Sequence, residues 1–515
     1  MLTQREGSSH RIVLDGPLSW REVAAIASGE ASLELSPAAE KRIDAARALV
    51  RSIVDRNIRA YGVNTGVGAL SDVIIPRDAQ STLSQKLLMS HAVGVGPPLG
   101  DAKTRAIMAA SVNLFALGFS GVRLSVVQRL IDLLNADCLP HIPRQGSVGY
   151  ISHRAHIGLV LIGQGRVRMK GVQMSATAAL SHLGLEPFVL EAKEGLSLVN
   201  GTPCALGFAC LALDRAQRVM DWADAIAAMS FETQRCQLSA IDSTAMALHA
   251  SPGLRAVAAT LREFLAGSAI LASAAGRKTQ DALSLRAIPQ VHGAVRDTWF
   301  AVSNVVAREL LSGTDNPAVV GSEDHPHAYS QAHAVGAAMG LAMDQLAIAM
   351  AELGMISERR LDRMVNPLVS GLPAFLAHEG GTASGYMIAQ YTAASLVGEN
   401  RRLAAPASLD GGITSGLQED MLCHATPAAL KALDVIGNVQ IIIAIELLAA
   451  CQSYDLLDTK TPPASRTSAL HQALRERVRT YADDRPLADD IATAVNFIES
   501  YLVGVDPPSH VAQTL

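Results

Sequence analysis

The stretch AHAVGAAMGLAMDQLAIAMAELGMISERR, residues 332–360, leaves little choice of architecture. It has no proline and small side chains over much of its circumference, which predicts a long helix that neighbours approach closely on several sides. Similar stretches recur from about 203 to 460, and together they predict an elongated helical bundle. Aromatic residues make up only 4% of a chain that is 49% hydrophobic, which favours closely packed helices over a large β-sandwich. The longest apolar run, VIGNVQIIIAIELLAAC (435–451), carries Asn438, Gln440 and Glu446. A buried core helix accounts for it better than a membrane span.

Residues 1–200 read differently. Short helical stretches alternate with Gly-rich turns: YGVNTGVGAL, HAVGVGPPLG, LGFSGVR, RQGSVG. The expectation is a mainly α fold with a smaller N-terminal globular part (1–200) and a long-helix bundle (201–515). The bundle's tail holds charged amphipathic stretches near 466–482 and 487–503. A chain of 515 residues could hold two or three ordinary domains or one large helical one. The net charge of −5, with no basic stripe, argues against nucleic acid as a partner. The opening MLTQREGSSHRIV has no apolar core of a leader, and the six cysteines contain no CxxC pair. A cytoplasmic protein with reduced thiols and no membrane association is expected.

Several motifs dissolve on inspection. VGVGPPLG lacks the preceding strand and the Lys-Ser/Thr of a nucleotide loop, so a plain turn is expected. QGSVG is no nucleophile elbow, because Gln145 stands first. In EDHPHAYSQAH, the spacing of His325, His327 and His333 matches no helical ligand pair. It reads as a solvated loop, and no metal site is expected. AYGVNTGVG is more suggestive. Tyr61 stands at the mouth of a Gly-rich loop, where a phenol serves as a base if its pKa falls from about 10. Alone, a core or surface tyrosine is the commoner outcome. His91, Asn200, Gln280, Arg286, Asn316, Gln418 and Glu419 also sit in apolar settings. Each alone reads as a cap, turn or ion pair, but buried polar groups need partners, and seven strain that explanation.

In order and spacing, AYGVNTGVG, SHAVGVG, GFSGVR, HIPRQGSVG, AKEGLSLVNGT, SLRAIPQVHGA, DNP, ISERR, SGYMIAQYTAASLVGEN and QED resemble the aromatic amino acid ammonia-lyase family, in particular histidine ammonia-lyases. The resemblance runs from about 55 to 460. It implies an almost wholly helical homotetramer whose active sites are shared between chains and take a small-molecule substrate. It also implies the electrophile methylidene-imidazolone (MIO), cyclised from an internal Ala-Ser-Gly, which turns the substrate amine into a better leaving group. By the same resemblance Tyr61 is the catalytic base and Arg286 the fork that clamps the substrate carboxylate. Asn200, Gln280, Asn316 and Gln418 are polar contacts, while His91 and Glu419 tilt the pocket towards a polar or basic side chain.

The chain departs from the family where the chemistry is most demanding. After Gly149 the family continues Ala-Ser-Gly-Asp-Leu, but this chain continues Tyr150-Ile151-Ser152-His153 and is three residues short before LVLIGQG. Ala-Ser-Gly does occur at Ala383-Ser384-Gly385, but in a segment to which the family gives a different, helical role. Leu283, Ala332 and Leu417 replace a family tyrosine, phenylalanine and asparagine. Three functions stay open. The first is an MIO-free elimination, addition or isomerisation on a carboxylate-bearing, amino-acid-like substrate. The second is a conventional MIO lyase or aminomutase whose matured ring escapes the written sequence. The third is a non-catalytic ligand-binding homologue. Intact mass separates the second from the others: it requires an excess over the 515 residues equal to dehydrated Ala-Ser-Gly, and the first requires none.

Overall fold

The computed structural model describes residues 2–4, 10–409, 411–457 and 460–503. The smaller N-terminal elements come first. Strand His10–Leu14 pairs in parallel with Ala31–Leu35. Helix α1 (Gln80–His91) leads into strand Val95–Pro98, which pairs antiparallel with Pro143–Gln145. Helix α2 (Ser152–Leu161) follows directly on that pairing. VGVGPPLG is therefore partly a strand rather than a plain turn, because its backbone finds a partner in the segment before Gly146.

Four long helices make the bundle: α3 (Pro203–Thr233), α4 (Ile288–Leu310), α5 (Ala337–Val365) and α6 (Ala425–Asp455). Proline opens α3 at a position where no helical N–H is lost. The run Ile442–Cys451 in α6 is fully buried, as a core helix requires. Three helical stretches, 194–233, 337–365 and 425–455, are long and apolar enough to cross a membrane, yet most of each apolar window is buried inside the protein. One hydrophobic core runs from Ile12 to Ile498, so the two textures of the sequence share it. The charged tail stretches form helices Ser465–Arg475 and Ala488–Ser500. EDHPHAYSQAH contributes to a hairpin, Ala318–Gly321 against Pro326–Tyr329, rather than a simple loop, although His325 and His327 are exposed as expected. All six cysteines are free and buried.

The bundle encloses a continuous chain of polar contacts. Arg296 donates to Asp221 (2.9 Å) and Asp224 (2.6 and 3.0 Å). The other oxygen of Asp224 lies 2.6 Å from His292 Nδ1. Arg360 Nη1 approaches His292 Nε2 at 3.3 Å, and Arg360 grips Glu446 through two bonds of 2.6 and 2.9 Å. Ser230 and Ser357 complete the carboxylate shell of Glu446. Guanidinium groups only donate, so His292 accepts at Nε2 and its proton sits on Nδ1, facing Asp224. Burial holds this imidazole below its usual pKa.

Two outcomes follow from this core. Arg360→Met strands the Glu446 carboxylate and should cost about 3–5 kcal/mol in urea unfolding, whereas Arg360→Met with Glu446→Leu should recover most of it. Equal losses in the single and double variants would show that the pair is not coupled. Acid is the second outcome. Burial lowers His292 and holds His156 near 4. The unfolded chain, with histidine pKa about 6.5, therefore takes up protons first. Stability is complete above that value and falls as pH drops from about 6.5 towards 4. His156→Gln, which keeps an acceptor for the Gly94 N–H, should flatten the fall of Tm with pH.

Candidate active site

Two Gly-dependent approaches shape the Tyr61 loop. Gly62 has φ +61°, and a Cβ there would lie 2.2 Å from Leu196 Cδ2. Gly68 has φ +56°, and a Cβ there would lie 2.3 Å from Ser415 Oγ. Only glycine meets both demands cheaply. The Gly68 N–H donates to the Tyr61 hydroxyl at 3.0 Å, which pins the phenol. The close contact at Ser415 brings in the turn 414–419. There Thr414 and Glu419 exchange backbone bonds of 2.8 and 3.3 Å, and Ser415, Gly416 and Leu417 all adopt positive φ. The Thr414 hydroxyl also donates to Glu419 Oε2 at 3.2 Å.

The junction after Gly149 closes on the same carboxylate. Tyr150 is buried, and its hydroxyl donates to Glu419 Oε2 at 3.3 Å. Its carbonyl accepts from Ser147 Oγ at 3.1 Å, and Ser147 Oγ accepts from Gly149 N–H at 3.2 Å. Gly149 and Val148 are tied by their carbonyls to Thr426 Oγ1 and His424 N–H, each at 2.9 Å. Next, Ile151 adopts φ 80°, costly for a β-branched residue, just before α2 begins.

The cluster therefore consists of Tyr61, Tyr150, Glu419 and, at the end of α1, His91, with Glu419 at its electrostatic centre. Burial first, then the Glu419 charge, raises the Tyr61 pKa against the lowering effect of the Gly68 N–H. This corrects the expectation of a lowered base. Burial and Glu419 raise Tyr150 too. Burial lowers His91, and Glu419 opposes that shift. Tyr150 was read from the sequence only as a marker of the junction. The available signal was an aromatic residue standing where an electrophile was missing, in a chain with only eight tyrosines.

A second wall holds Asn200 and Asn316. Asn200 Nδ2 donates to the Asn316 carbonyl at 2.6 Å, and Asn200 Oδ1 accepts from Gly201 N–H. Gln331 N–H donates to Asn316 Oδ1 at 2.9 Å. Gln331 also lines a cleft of about 710 Å3 with Ala332, Tyr329, His333 and Glu309. Ala332 leaves room in this cleft that a phenylalanine side chain there would fill. Burial raises the Glu309 carboxyl, which accepts from Thr202.

Gln280, Arg286 and Gln418 are not drawn into the cluster. Gln280 and Gln418 are exposed. Arg286 ends a short helical turn, Leu283–Arg286; its Nε is buried without a hydrogen-bond partner, and Leu283 beside it is 64% exposed. Ala383-Ser384-Gly385 lies in a bend before helix Met387–Leu403, with the N–H groups of Ser384 and Gly385 bound by Asp484.

Residues 18–476 match the family model for aromatic amino acid lyases. With this fold and this cluster, the chain belongs to that family. Its relatives include histidine ammonia-lyases and aminomutases. Histidine ammonia-lyase of Deinococcus radiodurans is 41% identical over 485 residues, covering 93% of this chain and 92% of that protein. The crystal structure of histidine ammonia-lyase from Trypanosoma cruzi superposes with a TM-score of 0.88 at 37% identity, covering 95% of this chain and 93% of the other. Ergothionase from Treponema denticola, an ergothioneine-degrading enzyme crystallised with desmethyl-ergothioneine sulfonic acid, superposes with a TM-score of 0.88 at 27% identity, covering 95% and 99%.

The cluster makes a directional prediction. Glu419→Gln should lower both the Tyr61 phenol and the His91 imidazole, since the carboxylate raises each. Spectrophotometric phenolate titration and NMR titration of the imidazole read the two shifts. Two unmoved titrations would mean that Glu419 does not govern these groups.

Proposed function

We propose that this chain is an MIO-independent lyase of its family, eliminating a quaternary amine from a small carboxylate-bearing substrate with an imidazole-like side chain. The observation that carries the reading is the Gly149–Tyr150 junction. Tyr150-Ile151 follow Gly149 where the family has Ala-Ser-Gly, and the Tyr150 phenol is committed to Glu419. A Cβ on Gly149 would already stand 2.7 Å from Cys423 Sγ. The residues present do not fit an imidazolone, and no step is routed through one.

Without an electrophile, the nitrogen must leave unaided. A quaternary ammonium does so as a neutral tertiary amine. The base takes the proton on Cβ, the C–H electrons form the Cα=Cβ bond, and the Cα–N pair departs with nitrogen. The products are an unsaturated carboxylate, a free amine and a protonated base. The substrate's fixed positive charge also answers the need of Tyr61, whose raised pKa calls for a nearby cation to form phenolate. Such a substrate cannot neutralise the base by giving it a proton from nitrogen. Aromatic faces and a carboxylate suit that cation, and Glu419 suits an imidazole N–H. A relative named for degrading ergothioneine favours a fold not confined to plain histidine.

Arg286 and Gln280 serve as carboxylate contacts in this reading by reaching the site of a second copy in a homotetramer with shared active sites. Three features support the assembly: the unsatisfied Arg286 Nε, the exposed Leu283, and an exposed stripe of Leu341, Ile348 and Met355 at seven-residue spacing along α5. A cytoplasmic setting accords with six unpaired thiols.

The test is turnover of histidine trimethylbetaine, followed by release of trimethylamine and of an imidazole acrylate, with histidine as control. The betaine should turn over and histidine should not. Tyr61→Phe should remove about 10²–10⁴-fold of the rate without lowering Tm. Deamination of histidine at a rate matching the betaine would restore the conventional lyase, to which the 41% identity points.

A further inference from the structure

Arg154, in the first turn of α2, is 1% exposed and has no carboxylate partner among the described residues. Its Nε donates to Ser111 Oγ at 3.1 Å, its Nη1 donates to the Asn200 carbonyl, and its Nη2 has no partner. The guanidinium lies 5.3 Å from the Phe115 ring centroid. The carboxylate whose charge acts on it, Asp315, is already paired with Lys193 at 3.0 Å, both fully buried. Burial brings Arg154 down only to about 10, so it is charged at neutral pH. An unpaired charge inside a protein is expensive, and an apolar residue of similar size is commonly tolerated better in its place.

Its place in the fold joins the two walls of the site. Four residues upstream, Tyr150 faces Glu419; through Nη1, Arg154 holds Asn200, whose amide binds Asn316. Gly336 bridges the walls further: a Cβ there would lie 3.2 Å from Thr202 Cγ2 and 3.4 Å from Ala425 Cβ. One wall carries the Glu419 carboxylate and two phenols. The other is backed by a cation without a counter-ion.

We propose that Arg154 is a positioning residue that makes the Asn200–Asn316 wall the anion side of the site, so that a small amino acid enters with its carboxylate towards Asn200 and its side chain towards Glu419. This rests on the proposed function only in taking the ligand to be a small amino-acid-like carboxylate.

The experiment is isothermal titration of the full chain with histidine and with histidine methyl ester, alongside thermal melts. The wild-type chain should prefer the acid at least tenfold, about 1.4 kcal/mol. Arg154→Met should melt no lower than wild type and reduce the preference to about threefold or less. Arg154→Lys, which keeps the charge, should keep the preference. A folded R154M retaining the tenfold preference overturns the proposal, as does a wild-type chain that shows none. Should R154M not fold, R154K decides: a folded R154K that has lost the preference overturns the charge assignment, and one that keeps it supports the assignment. Histidine binding makes no demand on a leaving group, so absent turnover of the betaine would sink the function and leave this result standing.

Discussion

A line of buried charge sets the frame of this molecule. Asp221, Arg296, Asp224, His292, Arg360 and Glu446 pass hydrogen bonds from α3 through α4 and α5 to α6. Apolar packing alone would hold these Ala-rich helices together in many registers, because small side chains interdigitate weakly. Charges buried in a low-dielectric interior tolerate one arrangement only, the one that satisfies every donor and acceptor. The network therefore fixes the relative heights of the four helices more than it adds net stability.

Those heights decide where the site falls. Asn200 precedes the start of α3, His424 and Thr426 sit at the start of α6, and both hold the short segment from Ser147 to Tyr150. The helix starts converge on one region, and the Tyr61 loop and the 414–419 turn close over it. Neither closing element has extensive regular structure. Each depends instead on left-handed backbone conformations and on a glycine where the other comes nearest.

The bundle was legible because periodicity and composition report burial directly: the stretch 332–360 became a helix from Ala337, and the run ending at Cys451 became the most buried part of α6. Tyr61, His91 and Glu419 were legible as a set only through resemblance, since nothing local places residues 61 and 419 side by side. The direction of the Tyr61 shift was not legible, because it is set first by how deeply the fold buries the phenol, which no local pattern around residue 61 reports. Tyr150 and Arg154 lie within the departure from the family, where resemblance offers no guide. Strand pairing at Val95–Pro98 was missed because its partner, Pro143–Gln145, lies far along the chain, and the hairpin 318–329 because strands of four residues are too short to show a period.

The thiols have a practical consequence. All six lie inside the protein, and burial pushes those of Cys138, Cys204, Cys210, Cys236 and Cys451 upward, away from the reactive thiolate. The native surface is thus chemically silent towards maleimides and related alkylating dyes. One cysteine engineered into the 414–419 turn and one into the Tyr61 loop would be the reactive sites for a pair of fluorophores or spin labels. Closure of these two elements could then be followed as a distance in solution without first stripping the protein of its own sulfur.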